Sequence, residues 1–74
     1  MQVDNLIRMA NQIGAFFEAM PDRPAALENL VLHIKKFWTP SMRRALLDRV
    51  DGTGDAGLTP MVAQAIRLHR DQLC

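Results

Sequence analysis

The 74-residue sequence has little of the chemistry on which catalytic sites are built. Its one cysteine, Cys74, excludes an internal disulfide and offers no cysteine cluster for a metal. Tyrosine is absent, serine occurs once, and neither of the two histidines pairs with a nucleophile in a pattern typical of covalent catalysis. We therefore expect a chain without its own active site, metal or cofactor. We expect Cys74 to be a free thiol in a reducing compartment.

Long apolar runs and a strong charge of one sign are also missing. No run approaches the roughly 20 apolar residues of a membrane span, and the first residues lack the basic and then apolar pattern of a signal peptide. The net charge is +1, from nine basic and eight acidic residues, which gives no overall preference for nucleic acid or a membrane surface. We expect a cytoplasmic protein that binds neither.

Alternation of apolar and polar residues over the length of a strand does not occur, and glycine and proline are few. The apolar residues, 49% of the chain, instead recur at helical spacing. This pattern predicts an all-α fold, a small bundle of four short helices in a single domain spanning residues 1–74. The predicted helices cover about residues 4–19, 24–37, 40–50 and 60–70.

Capping residues mark where these helices begin. Asp4 is the expected N-cap of the first helix, and Asp22 or Arg23 precedes Pro24 in the second. Two Thr-Pro pairs, at residues 39–40 and 59–60, predict the starts of the third and fourth helices. The glycine-rich segment 51–57 is predicted to be a flexible loop.

The predicted helices carry more apolar surface than so short a chain can easily bury. A domain of this size buries only roughly 60–65% of its unfolded surface. The first helix has an apolar arc wide enough to pack against two partners at once; its members are Leu6, Ile7, Met9, Ala10, Ile13, Gly14, Phe16, Phe17 and Met20. We therefore expect a large protein partner, or self-association of the isolated chain.

The corner between the second and third helices is the candidate contact surface. It brings together large apolar side chains and paired basic ones, and its residues are Phe37, Trp38, Pro40, Met42, Arg43 and Arg44. Arg43 falls on the apolar side of its helix, so its guanidinium needs a partner. That partner is either within the chain, at a helix C-terminus or an acid, or on another chain beside Trp38. Trp38 also continues the apolar stripe of the second helix, which predicts a place in the core.

Other clusters of polar residues are weaker candidates. His33, at the edge of the apolar stripe of the second helix, and His69, within the apolar arc of the fourth, are each predicted to be partly buried and hydrogen-bonded. Metal ligation would need two or three more ligands that the sequence does not offer. Asp48, Asp51 and Asp55 lack the ligand order of a calcium loop and are expected to be solvated. The basic third helix could also be the recognition helix of a small DNA-binding regulator. The nearly balanced charge argues against that alternative.

Two motifs resemble those of a known family. The first is MANQI-x-x-FF, formed by Met9 to Ile13 with Phe16 and Phe17; the second is H-x-x-x-FW-x-P-x-MR, which contains His33 and five of the six corner residues. With GLTPMV after the glycine-rich segment, the chain resembles the delta subunit of cytoplasmic, molybdenum-containing, NAD-dependent formate dehydrogenases from Val3 to about Arg67.

The resemblance implies a role that composition does not reveal. Enzymes of this family oxidise formate to carbon dioxide and reduce NAD, and their large subunits carry a molybdenum cofactor, iron–sulfur clusters and FMN. The delta subunit is expected to be a non-catalytic accessory chain that binds the catalytic and other subunits and supports assembly or stability. A transient factor for molybdenum-cofactor loading is the alternative within the same family.

Overall fold

A computed structural model describes residues 2–54 and 57–74. These residues form helices and connecting turns, and no strand occurs among them, which confirms the all-α prediction. The helices are α1 (Val3–Phe17), α2 (Arg23–Phe37), α3 (Pro40–Thr53), α4 (Pro60–Leu68) and α5 (Arg70–Leu73).

Two helix ends differ from the prediction. α3 continues to Thr53, so residues 51–53 of the predicted loop are helical. The helix stops at Gly54, whose φ of 79° is readily adopted by glycine. Residues 55–56 of the predicted loop, and with them Asp55, lie outside the described residues. The fourth predicted helix ends early, because the backbone of His69 leaves helical geometry and α5 begins after it.

The helix starts show which capping predictions are correct. Asp22 Oδ1 accepts a hydrogen bond from Ala25 N, and Thr39 Oγ1 accepts one from Met42 N, both at 3.2 Å. The N-cap prediction for Asp4 is wrong, because α1 begins at Val3 and Gln2 occupies the N-cap position. The Asp4 carboxylate instead accepts a hydrogen bond from Arg49 Nη1 at 2.9 Å.

The second Thr-Pro pair begins α4 without a side-chain cap. Here the backbone N–H of Thr59 donates to Asn11 Oδ1 at 3.0 Å, and Asn11 Nδ2 donates to the carbonyl of Gly57 at 2.8 Å. One amide side chain on α1 therefore holds the segment that leads into α4. The same dipeptide thus starts two helices through different hydrogen bonds.

The core lies around α2, which contacts α1, α4 and α5. Leu30, Val31 and Ile34 on this helix are fully buried, and Leu73 on α5 is buried as well. α1 contacts α2, α3 and α4, so its broad apolar arc does pack against more than one helix. Gly14 makes a close approach possible, since a Cβ there would lie 2.6 Å from Val62 Cγ2 on α4.

Candidate partner-binding site

The corner between α2 and α3 separates two concave surfaces. On one side is an open apolar groove of about 550 Å³, which we call the aromatic groove; it is lined by Met9, Gln12, Ile13, Phe16, Phe17, His33, Phe37, Trp38 and Met42. On the other side is a smaller concavity of about 320 Å³, which we call the basic cleft after its three arginines; it is lined by Pro40, Ser41, Arg43, Arg44, Leu47, Asp48, Arg70, Leu73 and Cys74.

Four rings form a ladder across the aromatic groove from α1 to α2. Phe16 and Phe17 meet edge to face with 5.2 Å between ring centroids, and Phe17 lies 6.0 Å from His33. His33 in turn lies 4.7 Å from Phe37, and Lys36 Nζ is 5.7 Å from the centroid of the Phe37 ring. The two outer rings face solvent, with exposed fractions of 76% for Phe16 and 66% for Phe37.

In each adjacent pair of aromatic residues, one ring faces the core and the other faces solvent. Neighbouring residues on a helix point about 100° apart, so only one of two consecutive aromatic side chains can face the core. Phe17 is half-buried against the core while Phe16 projects from it. Trp38, the C-cap of α2 with an extended backbone, is 5% exposed and belongs to the core, whereas Phe37, the last residue of the helix, projects. The core prediction for Trp38 is confirmed.

Arg43 finds its partners within the chain. Its Nη1 donates to the carbonyl of Lys35 at 2.8 Å and to that of Trp38 at 3.3 Å, both at the C-terminal end of α2. Carbonyls there lack partners inside the helix and attract a positive charge. The half-buried guanidinium therefore ties the start of α3 to the end of α2. Its Nε is buried without a hydrogen-bond partner in the described part of the chain.

The remaining groups of the basic cleft are more exposed. Arg70 Nη2 is 2.5 Å from Asp51 Oδ2, which joins α5 to the last turns of α3. Arg44 is exposed and makes no side-chain hydrogen bond to residues 2–54 or 57–74. Cys74 is an exposed free thiol at the edge of the cleft.

The described residues contain neither a cluster of potential metal ligands nor a helix that could span a membrane. Over residues 2–54 and 57–74, no group of three or more His, Cys, Asp or Glu side chains is placed to hold a metal ion. Within the same ranges, none of the helices combines the length and the apolar content needed to cross a bilayer.

The sequence was compared with family models, curated proteins and solved structures. A model of the NADH-dependent formate dehydrogenase delta subunit family, FdsD, matches residues 5–66. The chain belongs to this family. No curated protein and no solved structure matches it.

Within this delta-subunit family member, the match contains both motifs that carry the resemblance and every residue of the aromatic groove. The basic cleft extends beyond the match, since Arg70 and Cys74 follow residue 66. The predicted contact residues divide between the two surfaces. Phe37, Trp38 and Met42 line the groove, while Pro40, Arg43 and Arg44 line the cleft. Partner binding by these six residues stays a prediction.

The delta-subunit groove has a wall that the contact prediction did not include. Met9 and Phe16 lie at one edge of the apolar arc of α1, and both are exposed. Residues at the edge of an arc wider than the core can cover are left facing solvent. The width of the arc was therefore the sequence signal for this wall. His33 and His69 are both half-buried, as predicted, but the predicted side-chain hydrogen bonds of these histidines do not occur among the described residues.

Proposed function

We propose that this chain is a non-catalytic accessory subunit of an NAD-dependent formate dehydrogenase, which converts formate and NAD⁺ to carbon dioxide and NADH. It would support the assembly or the stability of the catalytic complex. Membership of the delta subunit family over residues 5–66 carries this proposal. Further support comes from the aromatic groove, which exposes large rings of the kind that protein interfaces bury.

The proposed mechanism is stabilisation by binding. A chain that binds the folded form of a partner, and not its unfolded form, shifts the folding equilibrium of that partner by mass action. At a free concentration 100 times the dissociation constant, the gain is about 2.7 kcal/mol. A contribution of this size decides whether a marginally stable subunit persists long enough to be assembled.

The proposed partners are the catalytic and other subunits of formate dehydrogenase, in the cytoplasm. Those subunits, and not this chain, would carry the molybdenum cofactor, iron–sulfur clusters and FMN and would use NAD. Phe37, Pro40, Met42 and Arg44 are proposed as direct contacts. Trp38 is buried, and Arg43 donates a hydrogen bond to a backbone carbonyl of α2. These two residues would therefore maintain the conformation of the corner and are not proposed as direct contacts.

The test is removal of the chain, followed by its return as single variants. In a strain lacking it, we expect less assembled complex and a proportional loss of formate-dependent NADH formation. Return of the Phe37→Ala or Arg44→Ala chain should restore less complex than return of the Leu68→Ala chain. Leu68 is 58% exposed but lines neither surface, which makes it a control for loss of an exposed apolar side chain. Unchanged amounts of complex and activity without the chain would contradict the proposal.

A transient factor for molybdenum-cofactor loading differs from a permanent subunit in one measurable respect. Native mass spectrometry of active enzyme would show the 8.3 kDa chain in a permanent assembly and would lack it if the chain leaves after loading. Retention of the chain at constant stoichiometry supports the permanent role proposed above.

A further inference from the structure

The aromatic groove has the shape of a short trough between two helices. Its α1 wall repeats at helical spacing through Met9, Ile13 and Phe16–Phe17, and its α2 wall contains His33 and Phe37, one helical turn apart. Met9 and Phe17 are eight residues apart, which corresponds to a length of about 12 Å along α1. A trough of that length, walled by apolar side chains, can accept about two turns of a helix from another chain. That helix would carry apolar residues at positions i, i+3 or i+4, and i+7.

The exposed apolar side chains of the groove are contiguous. Phe16 and Phe37 stand at opposite ends of the ring ladder, with Phe17 and His33 between them. Among residues 2–54 and 57–74, the other large exposed apolar side chains are Leu32 and Leu68, and neither lines the aromatic groove or the basic cleft. Scattered exposed leucines are ordinary on protein surfaces, but a continuous aromatic patch marks a place where another surface binds.

The charged residues beside the groove indicate which kind of partner segment it favours. Residues 29–37, the part of α2 that forms one wall of the groove, contain Lys35 and Lys36 and no acidic residue. Lys36 Nζ lies over the ring of Phe37, at one end of the ladder. Glu18, which follows α1, is the acid nearest to Phe16 and Phe17 along the chain. The α2 edge of the groove is therefore positive.

The charge also bears on a second copy of the chain as the occupant. In a two-fold contact whose axis crosses the groove, the positive α2 edges of the two copies would face and repel each other, whereas an acidic segment of another subunit would be attracted. We propose that the aromatic groove binds one amphipathic helix of another formate dehydrogenase subunit, with apolar residues toward the rings and acidic residues toward Lys36. This inference rests on the proposed function and names the surface and the class of partner segment.

Photo-crosslinking in the assembled complex tests the identity of the occupant. The photoreactive amino acid benzoylphenylalanine replaces Phe16 in the full chain, and the crosslinked peptide is identified by mass spectrometry. We expect a peptide from another formate dehydrogenase subunit that has helical apolar spacing and several Asp or Glu residues. A crosslink to a second copy of this chain, or to a basic or extended segment, would overturn the inference and leave the proposed function standing.

Competition inside the cell tests the energetics. Wild-type and variant chains with distinguishable tags are expressed at equal levels, and their ratio in the purified complex gives the relative affinity. Phe16→Ala should lower the share of the variant about ten-fold, as expected for an aromatic contact at an interface centre. Leu68→Ala should compete within about two-fold of wild type.

Charge reversal completes the comparison. Lys36→Glu should compete less well than Arg67→Glu, which makes the same charge change at an exposed position on α4. The difference should shrink when exchange is measured in purified complex at high salt. Thermal unfolding of each isolated chain separates loss of binding from loss of folding.

The failures of the two proposals are distinguishable. If wild-type chain is recovered with the complex and folded Phe16→Ala chain enters it equally well, the groove is not the docking surface and only this inference fails. If wild-type chain neither accompanies nor crosslinks to any formate dehydrogenase subunit, the proposed function fails with it.

Discussion

The aromatic groove and the basic cleft share one corner of the fold. They differ in how far their side chains already have interaction partners within the chain. In the cleft, Arg43 donates to two backbone carbonyls and Arg70 pairs with Asp51. In the groove, Phe16 and Phe37 leave most of their surface in water. A guanidinium that already has partners gains little from another chain, whereas an exposed ring gains the full benefit of burial.

The structure decides between the two roles that the sequence left open for Trp38 and Arg43. Paired arginines next to a tryptophan are typical of an interface hot spot, but here Trp38 and Arg43 hold the chain itself together. The residues free to meet a partner are their neighbours, Phe37 and Arg44. At this corner, structural and candidate contact residues alternate along the chain.

The largest expected effect comes from the buried tryptophan. Trp38→Ala should lower the free energy of unfolding by about 3–5 kcal/mol, because it removes a large buried side chain and leaves a cavity. A domain of 74 residues has little stability to spare, so much of the variant should be unfolded at 37 °C. Chemical denaturation followed by circular dichroism measures this loss. A loss below about 1 kcal/mol would contradict the assignment of Trp38 to the core.

An intermediate effect separates the two arginines of the cleft. Arg43→Met should lower the free energy of unfolding by about 1–2 kcal/mol, since two carbonyls at the end of α2 lose a charged donor. Arg44→Met makes the same chemical change at an exposed position and should stay within about 0.5 kcal/mol of wild type. If urea denaturation gave the same loss of unfolding free energy for both variants, the hydrogen bonds of Arg43 would not stabilise the fold.

The smallest effect on stability is expected in the groove. Phe37→Ala should change the free energy of unfolding by less than about 1 kcal/mol, because the ring is mostly exposed and its ring interactions are with the half-buried His33 and the exposed Lys36. The same variant should still impair recovery of the complex. If Phe37→Ala destabilised the isolated chain as much as Trp38→Ala, the distinction between groove and core at this corner would be wrong.

Capping residues in the sequence predicted the starts of α2 and α3 correctly but misplaced the N-cap of α1. Asp22 and Thr39 accept the expected backbone hydrogen bonds. The end of α3 was harder to predict, because glycine and aspartate favour loops but tolerate a last helical turn when neighbouring residues support it. In this turn, Arg49 Nε donates to Thr53 Oγ1, and Thr53 Oγ1 donates to the Arg49 carbonyl.

The candidate site was only partly predictable, for two physical reasons. A helical wheel gives the direction of Phe16 but not the width of the core, so it does not show which edge of the apolar arc remains uncovered. The partners of Arg43 are backbone carbonyls, which every residue has, and no side-chain pattern marks the two that lie within reach. Both features depend on how α1, α2 and α3 meet.

Gly14 has a consequence for how mutational scans of this protein are interpreted. A side chain at this position would collide with Val62 on α4, so α1 would have to shift away. Phe16 and Phe17 follow two and three residues later on the same rigid helix and would move with it. If Phe16 contacts a partner as proposed, a scan for loss of binding would register Gly14 although this residue is buried. A map drawn from such data would then extend the interface into the interior of the protein.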